Sequence, residues 1–325
     1  MGQLAQRTSL FPQTSVTITY MKEIIAPIDR ELIKSELTPD KLLRKTQAGH
    51  NYVYVIDAHN APNTMLEIGR LREQTFRDAG GGTGNEVDID IYDTAEVPFK
   101  QMIVWNESEQ EILSAYRYIL GRDVPLDENG YPHTPSSKLF CYSDTFIKTI
   151  WQDTIELGRS FVQTKYQASA GRRLGFYALD NVWDGLATLT VEYPDLKYYF
   201  GKMTMYNSYN RLARNMILNF LNKHFKGDLT LVHPFHPVEL DTKAFKSIFK
   251  NATYAEDFKA LNKNIRDLKV SIPPLIKAYM SLSSSLQCFG AAANPEFGPV
   301  EEIAILVKIA DIYEQKVARH LQKYK

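Results

Sequence analysis

Charged residues set inside otherwise apolar segments constrain the fold of this chain more than its bulk composition does. Four such islands follow one another: Arg72-Glu-Gln-Thr-Phe76-Arg77, Asp88-Ile-Asp90-Ile-Tyr92-Asp93, Tyr116-Arg117-Tyr118 and Glu156-Leu157-Gly158-Arg159. Their surroundings have the period of helices or strands, so folding carries these side chains toward an interior. An unpaired charge there costs several kcal/mol. The islands must therefore meet one another, or a ligand, and they are the first candidates for a functional site.

Composition narrows the partners. Among 325 residues, 38 Lys and Arg balance 38 Asp and Glu, so no global field attracts nucleic acid, and an acidic partner must be met by a local patch. Two cysteines, Cys141 and Cys288, are too few for a disulfide framework and fit a reducing compartment, read as cytoplasmic. The first twenty residues are polar, without the apolar run of a secretory signal, and Gln6 stands where a myristoylation signal needs Ser or Thr. No stretch reads as a membrane span, because residues 278–295 carry several serines; peripheral contact with a membrane surface stays open.

The pattern predicts two short helices over residues 22–47, divided at Thr38-Pro39, then a strand over 51–56. Thr64 to Glu67 has the spacing of a capping box opening a helix to about Asp78, with Ile68, Arg72 and Phe76 on one face. A hairpin follows over residues 101–120, where period two puts Arg117 on the face of Leu113, Ala115 and Ile119. A strand over 153–162, a helix over 174–191, a strand over 198–205 and a helix over 207–225 complete the readable part; the remainder shows helical stretches and Pro-rich connections. The expected organisation is an N-terminal extension with a helical arm (1–48) and one domain (49–325) elaborated after residue 226.

In order and spacing the islands resemble the acyl-carrier-protein-dependent branch of the GNAT N-acyltransferases, which includes the acyl-homoserine-lactone synthases and the hemolysin-like ornithine- and glycine-lipid enzymes. The resemblance spans residues 51–325 and includes Tyr198-Tyr199-Phe200-Gly201-Lys202, the run Ile272 to Tyr279, and Phe297-Gly298. Ala58-His59-Asn60-Ala61-Pro62-Asn63 and Ala79-Gly80-Gly81-Gly82-Thr83-Gly84 look most like the glycine N-acyltransferases of glycine-lipid synthesis. The resemblance implies an α/β (α+β) GNAT fold: a central mixed, mostly antiparallel sheet with splayed strands, flanked by helices. It also implies transfer of a 3-hydroxylated fatty acyl group from acyl carrier protein to the amine of a small amino acid, with no bound cofactor.

Such chemistry needs a base for the ammonium, donors for an oxyanion and a slot for the pantetheine arm. Glu156 is the candidate base, with a structural carboxylate as the alternative. Gly158 suggests a strand bulge, and one bulged residue would bring Glu156 and Arg159 to the same face. Arg117 and Arg159 are candidates to grip the acceptor carboxylate. Arg72, Phe76, Asp90 and Asp93 are placed on the acceptor side, with Asp88, Asp90 and Asp93 paired to Arg72 and Arg77. A metal on these aspartates is not expected, since no His or Cys is nearby. For the donor arm the candidates are Gly171, Arg172 and Arg173. Their loop departs from the phosphate-binding pattern of GNAT proteins that use coenzyme A, which favours a carrier protein over acyl-coenzyme A.

Two look-alikes fail. Gly80 to Gly84 lacks the Gly-Lys-Ser/Thr of a nucleotide loop, and His236 to Asp241 has the His-x4-Asp spacing of glycerolipid acyltransferases without their phosphate motif. Two rivals remain: a lactone synthase using S-adenosylmethionine, and a non-enzymatic membrane-active protein.

Overall fold

The computed structural model describes residues 21–167, 175–250 and 253–321. Two apolar runs joined by residues 107–110 form the expected hairpin, β3 (Lys100–Asn106) and β4 (Glu111–Leu120). Around it the chain builds an eight-stranded sheet. From one edge its order is β1 (Leu42–Lys45), β2 (Tyr52–Ile56), β3, β4, β6 (Thr154–Val162), β7 (Tyr198–Tyr206), β10 (Val300–Lys308) and β9 (Gln287–Ala293). β5 (Phe140–Tyr142) and β8 (Val232–Pro234) form a separate pair. Every contact in the large sheet is antiparallel except that of β6 with β7, which are joined by a crossover helix, as parallel neighbours require.

Helices cover both faces. On one, α4 (Gly175–Glu192) and α5 (Arg211–His224), with α6 (Tyr254–Asp267) and α7 (Pro274–Met280), bury Val182, Leu186, Ile217 and Ile276 against Val53, Met102, Tyr199 and Ile303. On the other, α2 (Pro62–Ala79) buries Ile68, Leu71 and Phe76 against Ile103, Ala115 and Phe161. Beside α2 the β5/β8 pair and α3 (Asp144–Thr149) bring Tyr142, Phe146 and Trp151 onto Ile119 and Phe200. A last helix, α8 (Glu314–Leu321), docks through His320 on Asp184 of α4 at 2.8 Å. No helix among the described residues is long and apolar enough to cross a membrane.

β6 and β7 pair at only four positions, Thr154↔Tyr198 to Leu157↔Gly201. Beyond them β6 stays bonded to β4, as at Ser114↔Val162, and β7 to β10 as far as Val300↔Tyr206. Each strand is thus held on its outer side while the inner sides part. On the β4 side, Ala115 pairs with Phe161 and Arg117 with Gly158, so Tyr116 faces two residues of β6, Arg159 and Ser160. This is a bulge, and Arg159 occupies it with a left-handed φ of 49°.

Several local expectations are corrected. Only α1 (Arg30–Glu36) forms within residues 22–47; Pro39 opens a single turn and the chain then enters β1, because Leu42 pairs with Tyr54. The capping box is not used. α2 begins at Pro62, and Glu36 at the end of α1 caps it instead: Oε1 accepts from Asn63 N at 3.0 Å and Oε2 from Thr64 N at 2.7 Å. Leu113 is a second bulge, since Val104 pairs with Ser114 and Trp105 with Ile112, and it faces α4 while Ala115 and Ile119 stay on the other face. The last hundred residues also contribute three strands, β8, β9 and β10, where helices and connections were expected.

Burial would raise the Glu36 carboxyl, but bonds from the Asn63 and Thr64 backbone and side chains outweigh it and hold it below its usual 4.5. The cap's contribution is therefore present above that value and fades as acid protonates it. Glu36→Ala should lower stability at neutral pH by about 1–2 kcal/mol, read as a lower urea midpoint at unchanged slope.

Candidate active site

Face by face, the bulge decides what converges. Without it Glu156 and Arg159 would point to opposite sides; with it both lie on the α2 side, beside Gly158, Arg117 and Gln101. Opposite them the segment after the glycine turn approaches α2 closely, because Gly69 has no side chain: a Cβ there would lie 2.6 Å from Ile89 Cγ1, and Gly69 O accepts from Asp88 N at 2.9 Å. Residues 88–93 form no strand. Asp90 Oδ1 accepts from Tyr92 N at 3.0 Å and Asp93 Oδ2 from Asp90 N at 3.1 Å, so the carboxylates fold their own backbone into a turn.

That turn presents three aspartates to three arginines. Arg72 Nη1 meets Asp93 Oδ2 at 3.1 Å, and Arg72 Nη2 donates to Gln101 Oε1 at 2.5 Å. Arg117 spans Asp90 and Asp93 at 2.9 and 3.0 Å. Arg159 Nε stands 2.8 Å from Asp88 Oδ2 and its guanidinium lies 4.2 Å above the Phe297 ring. Phe297 in turn packs edge-on against Phe76 at 5.0 Å, which places Phe76 behind the bulge and not among the polar groups. Burial alone would raise the Asp93 carboxyl, but Arg117, Arg72 and the Asp90 N–H hold it far below its usual 3.8.

Arg77, expected on the aspartates, turns away. It bonds Glu73 at 2.7 Å, and the backbone of the glycine turn closes on the same carboxylate through Gly84 N at 2.7 Å. The i,i+4 spacing on α2 offers Arg77 this partner before any other.

Glu156 is different. It is 2 % exposed, sits beside Phe200 in register, and is the one carboxylate of the cluster with no ion pair within 4 Å among the described residues. Burial raises it above 4.5, and the hydroxyls of Ser136 and Thr134, then Lys202 and Arg117, offset this only in part. Lys202 is bound to Glu302 at 2.8 Å and donates to Pro135 O at 3.3 Å. Four cations, Arg72, Arg117, Arg159 and Lys202, thus face Asp88, Asp90, Asp93, Glu302 and Glu156, which leaves one negative charge uncompensated when Glu156 ionises. A buried carboxyl with a raised pKa and no counter-ion is suited to take a proton from a cationic amine.

The structure gathers Glu156, Gly158, Arg159, Arg117, Arg72, Asp90 and Asp93 beside the mouth of the parted strands. Gly171, Arg172 and Arg173 lie outside the described residues. Sequence reasoning missed Ser136, Tyr142, Lys202 and Glu302. Lys202 and Glu302 are charges inside apolar strands, the same signal that marks Arg117; Ser136 and Tyr142 carry none.

A mixed sheet whose one parallel pair among the described residues parts after four positions beside a bulge, with a buried carboxylate that has no ion pair at the point of parting, is the architecture of a GNAT acyltransferase. Residues 71–175 match the family described as Acetyltransferase (GNAT) domain. Over 306 residues the chain is 53 % identical to the glycine N(alpha)-acyltransferase of Bacteroides thetaiotaomicron, covering 94 % of this chain and 91 % of that protein. It is 50 % identical to the protein of the same name from Phocaeicola vulgatus, covering 94 % of each. No solved structure matches. The chain belongs to this glycine N(alpha)-acyltransferase family of GNAT enzymes and is an acyltransferase.

Because Arg72 and Arg117 share Asp93, Asp93→Asn strands buried cations and should destabilise the protein by about 3–5 kcal/mol in chemical denaturation. The wild-type contribution of Asp93 is present above pH 3.8 and is lost as pH falls toward its depressed pKa, so the gap between wild type and variant should narrow in strong acid.

Proposed function

We propose that this protein transfers a 3-hydroxylated fatty acyl group from acyl carrier protein to the amine of glycine, as a step of aminolipid biosynthesis. The observation that carries the reading is Glu156: buried, without an ion pair, and beneath the gap between β6 and β7. The relatives' name supports glycine as acceptor. Departure of the loop after β6 from the coenzyme A pattern supports the carrier protein as donor.

In this reading the acceptor arrives as an ammonium and balances the negative charge of Glu156, which takes one proton. The neutral amine then attacks the thioester carbonyl in the gap, where main-chain N–H groups freed by the parting of the strands stabilise the oxyanion. That attack forms the C–N bond; collapse restores the carbonyl and breaks the C–S bond, and the second amine proton leaves with sulfur as the carrier thiol. Arg117, Arg72, Asp90 and Asp93 order the site. Arg159 holds the bulge.

Purified protein given a 3-hydroxyacyl thioester of acyl carrier protein and a panel of amino acids should yield N-acylglycine by mass spectrometry. Absence of any N-acyl amino acid, with a control enzyme active, overturns the reading; equal turnover of the coenzyme A thioester overturns the donor assignment. Glu156→Gln should lower kcat/KM by about 10²–10⁴-fold and abolish the rising acid limb of its pH profile, which in the wild type lies above 4.5. Ionising Glu156 costs folding stability, a cost absent below 4.5 and complete above its raised pKa. At neutral pH the variant should therefore be at least as stable as the wild type, checked by thermal unfolding.

A further inference from the structure

Around Glu156 several buried polar atoms are poorly satisfied. Ser136 is 1 % exposed and Tyr142 3 %, yet Ser136 Oγ and Tyr142 OH form no hydrogen bond of good geometry, and neither does Glu156 Oε2. The Ser136 hydroxyl lies within reach of both Glu156 and Tyr142. Tyr142 is fixed in place, stacked on Trp151 at 5.5 Å and edge-on to Phe200 at 5.6 Å. Buried polar groups are almost always paired, so three orphans around one point mark a place prepared for a polar guest.

The chemistry of the guest follows from what is already taken. Both ends of the Arg117 fork bond Asp90 and Asp93, and Lys202 bonds Glu302, so these cations have partners before a substrate arrives. Among the atoms left without a well-formed hydrogen bond are two hydroxyls that can donate, Ser136 Oγ and Tyr142 OH, and a carboxylate oxygen that accepts, Glu156 Oε2. Glu156 matches an amine, and the hydroxyls match an acceptor-only group. In an α-amino acid the carboxylate is separated from the nitrogen by one carbon. Once the nitrogen sits on Glu156, the carboxylate is carried to within reach of the neighbouring hydroxyls.

We infer that Ser136 and Tyr142 bind the carboxylate of the acceptor amino acid, so that it is recognised by neutral hydroxyls and not by the arginines of the cluster. This rests on the reading of Glu156 as the amine's partner given above. The ammonium offsets Glu156 and the single excess negative charge passes to the acceptor's own carboxylate, to which neutral hydroxyl donors add no further charge.

The test compares wild type, Ser136→Ala and Tyr142→Phe with the acyl carrier protein thioester at saturation, using glycine and methylamine as acceptors. Methylamine keeps the amine and lacks the carboxylate. Each variant should raise the KM for glycine by roughly tenfold to a hundredfold, the range of a hydrogen bond to a charged group, with kcat little changed. The KM for methylamine should start far above that for glycine in the wild type and stay where it is in the variants. The inference is overturned if the variants leave the glycine KM alone, if they lower kcat at constant KM, which would make the hydroxyls servants of the Glu156 proton, or if the wild type takes methylamine as readily as glycine. Ser136→Ala removes one oxygen from a loop, so it decides the matter even where Tyr142→Phe disturbs the aromatic stack. Should the wild type acylate no amine, the reading of Glu156 itself falls; if glycine is acylated and the variants behave as the wild type, only the carboxylate site falls.

Discussion

A parallel pair of strands that stop pairing after four residues is the constraint on which the rest of this structure depends. Strands part at a cost, because main-chain N–H and C=O groups lose partners. Here the cost is limited by anchoring: β6 remains hydrogen-bonded to β4 and β7 to β10, so only the inner edges are open. The bulge at Arg159 bends β6 away, and its left-handed φ, unfavourable for a branched chain with a Cβ, is held by contacts on both sides of the guanidinium, Asp88 and Phe297. The C-terminal hundred residues are therefore part of the gap: β10 supplies the outer rail for β7, and Phe297 supplies the face on which Arg159 rests.

This explains why so many charges are buried in one place. Buried ion pairs seldom add much net stability, because desolvation offsets their attraction, but they fix geometry, since breaking one leaves a charge stranded. The turn 88–93 has no regular secondary structure; Ile89 and Tyr92 seat it on the core, and three arginines from α2, β4 and β6 hold its carboxylates. Each arginine reads the turn from a different element, so the turn, the helix and the bulge are locked in one relative placement. The glycine at position 69 makes this possible by letting the turn lie against the helix backbone.

Much of this was legible in the sequence where a charge interrupts an apolar period. Arg72 on a helix face with Ile68 and Phe76, and Arg117 among Ala115 and Ile119, announce an interior ionic site by their position alone. What the pattern could not give is which charge meets which. Arg77 has the same composition around it as Arg72, yet a glutamate four residues earlier captures it. Facing is equally fragile: a single bulged residue moved Leu113 to the other side of the sheet, and another brought Arg159 to the side of Glu156. Bulges leave little trace in side-chain pattern, because the residue that is displaced need not be a glycine, as Arg159 and Leu113 demonstrate. Ser136 and Tyr142 were invisible for a different reason. Ser136 lies in an irregular loop, where polarity is the rule, Tyr142 ends the three-residue β5, and only the fold brings the two to Glu156.

Glu156 ties these strands of argument together, because the property that makes it useful is the one that makes it a liability. Every other carboxylate of the cluster is matched by a guanidinium or an ammonium within 4 Å, and the fold could have matched this one by turning Lys202 from Glu302. It does not: Glu302 is also approached by Asn294 at 3.1 Å, which fixes the lysine on that side. Leaving Glu156 without a counter-ion raises its pKa and lowers stability at neutral pH, while a paired glutamate in the same position would be a weaker base. In the proposed reading the ammonium end of the zwitterionic acceptor supplies the partner that Glu156 lacks.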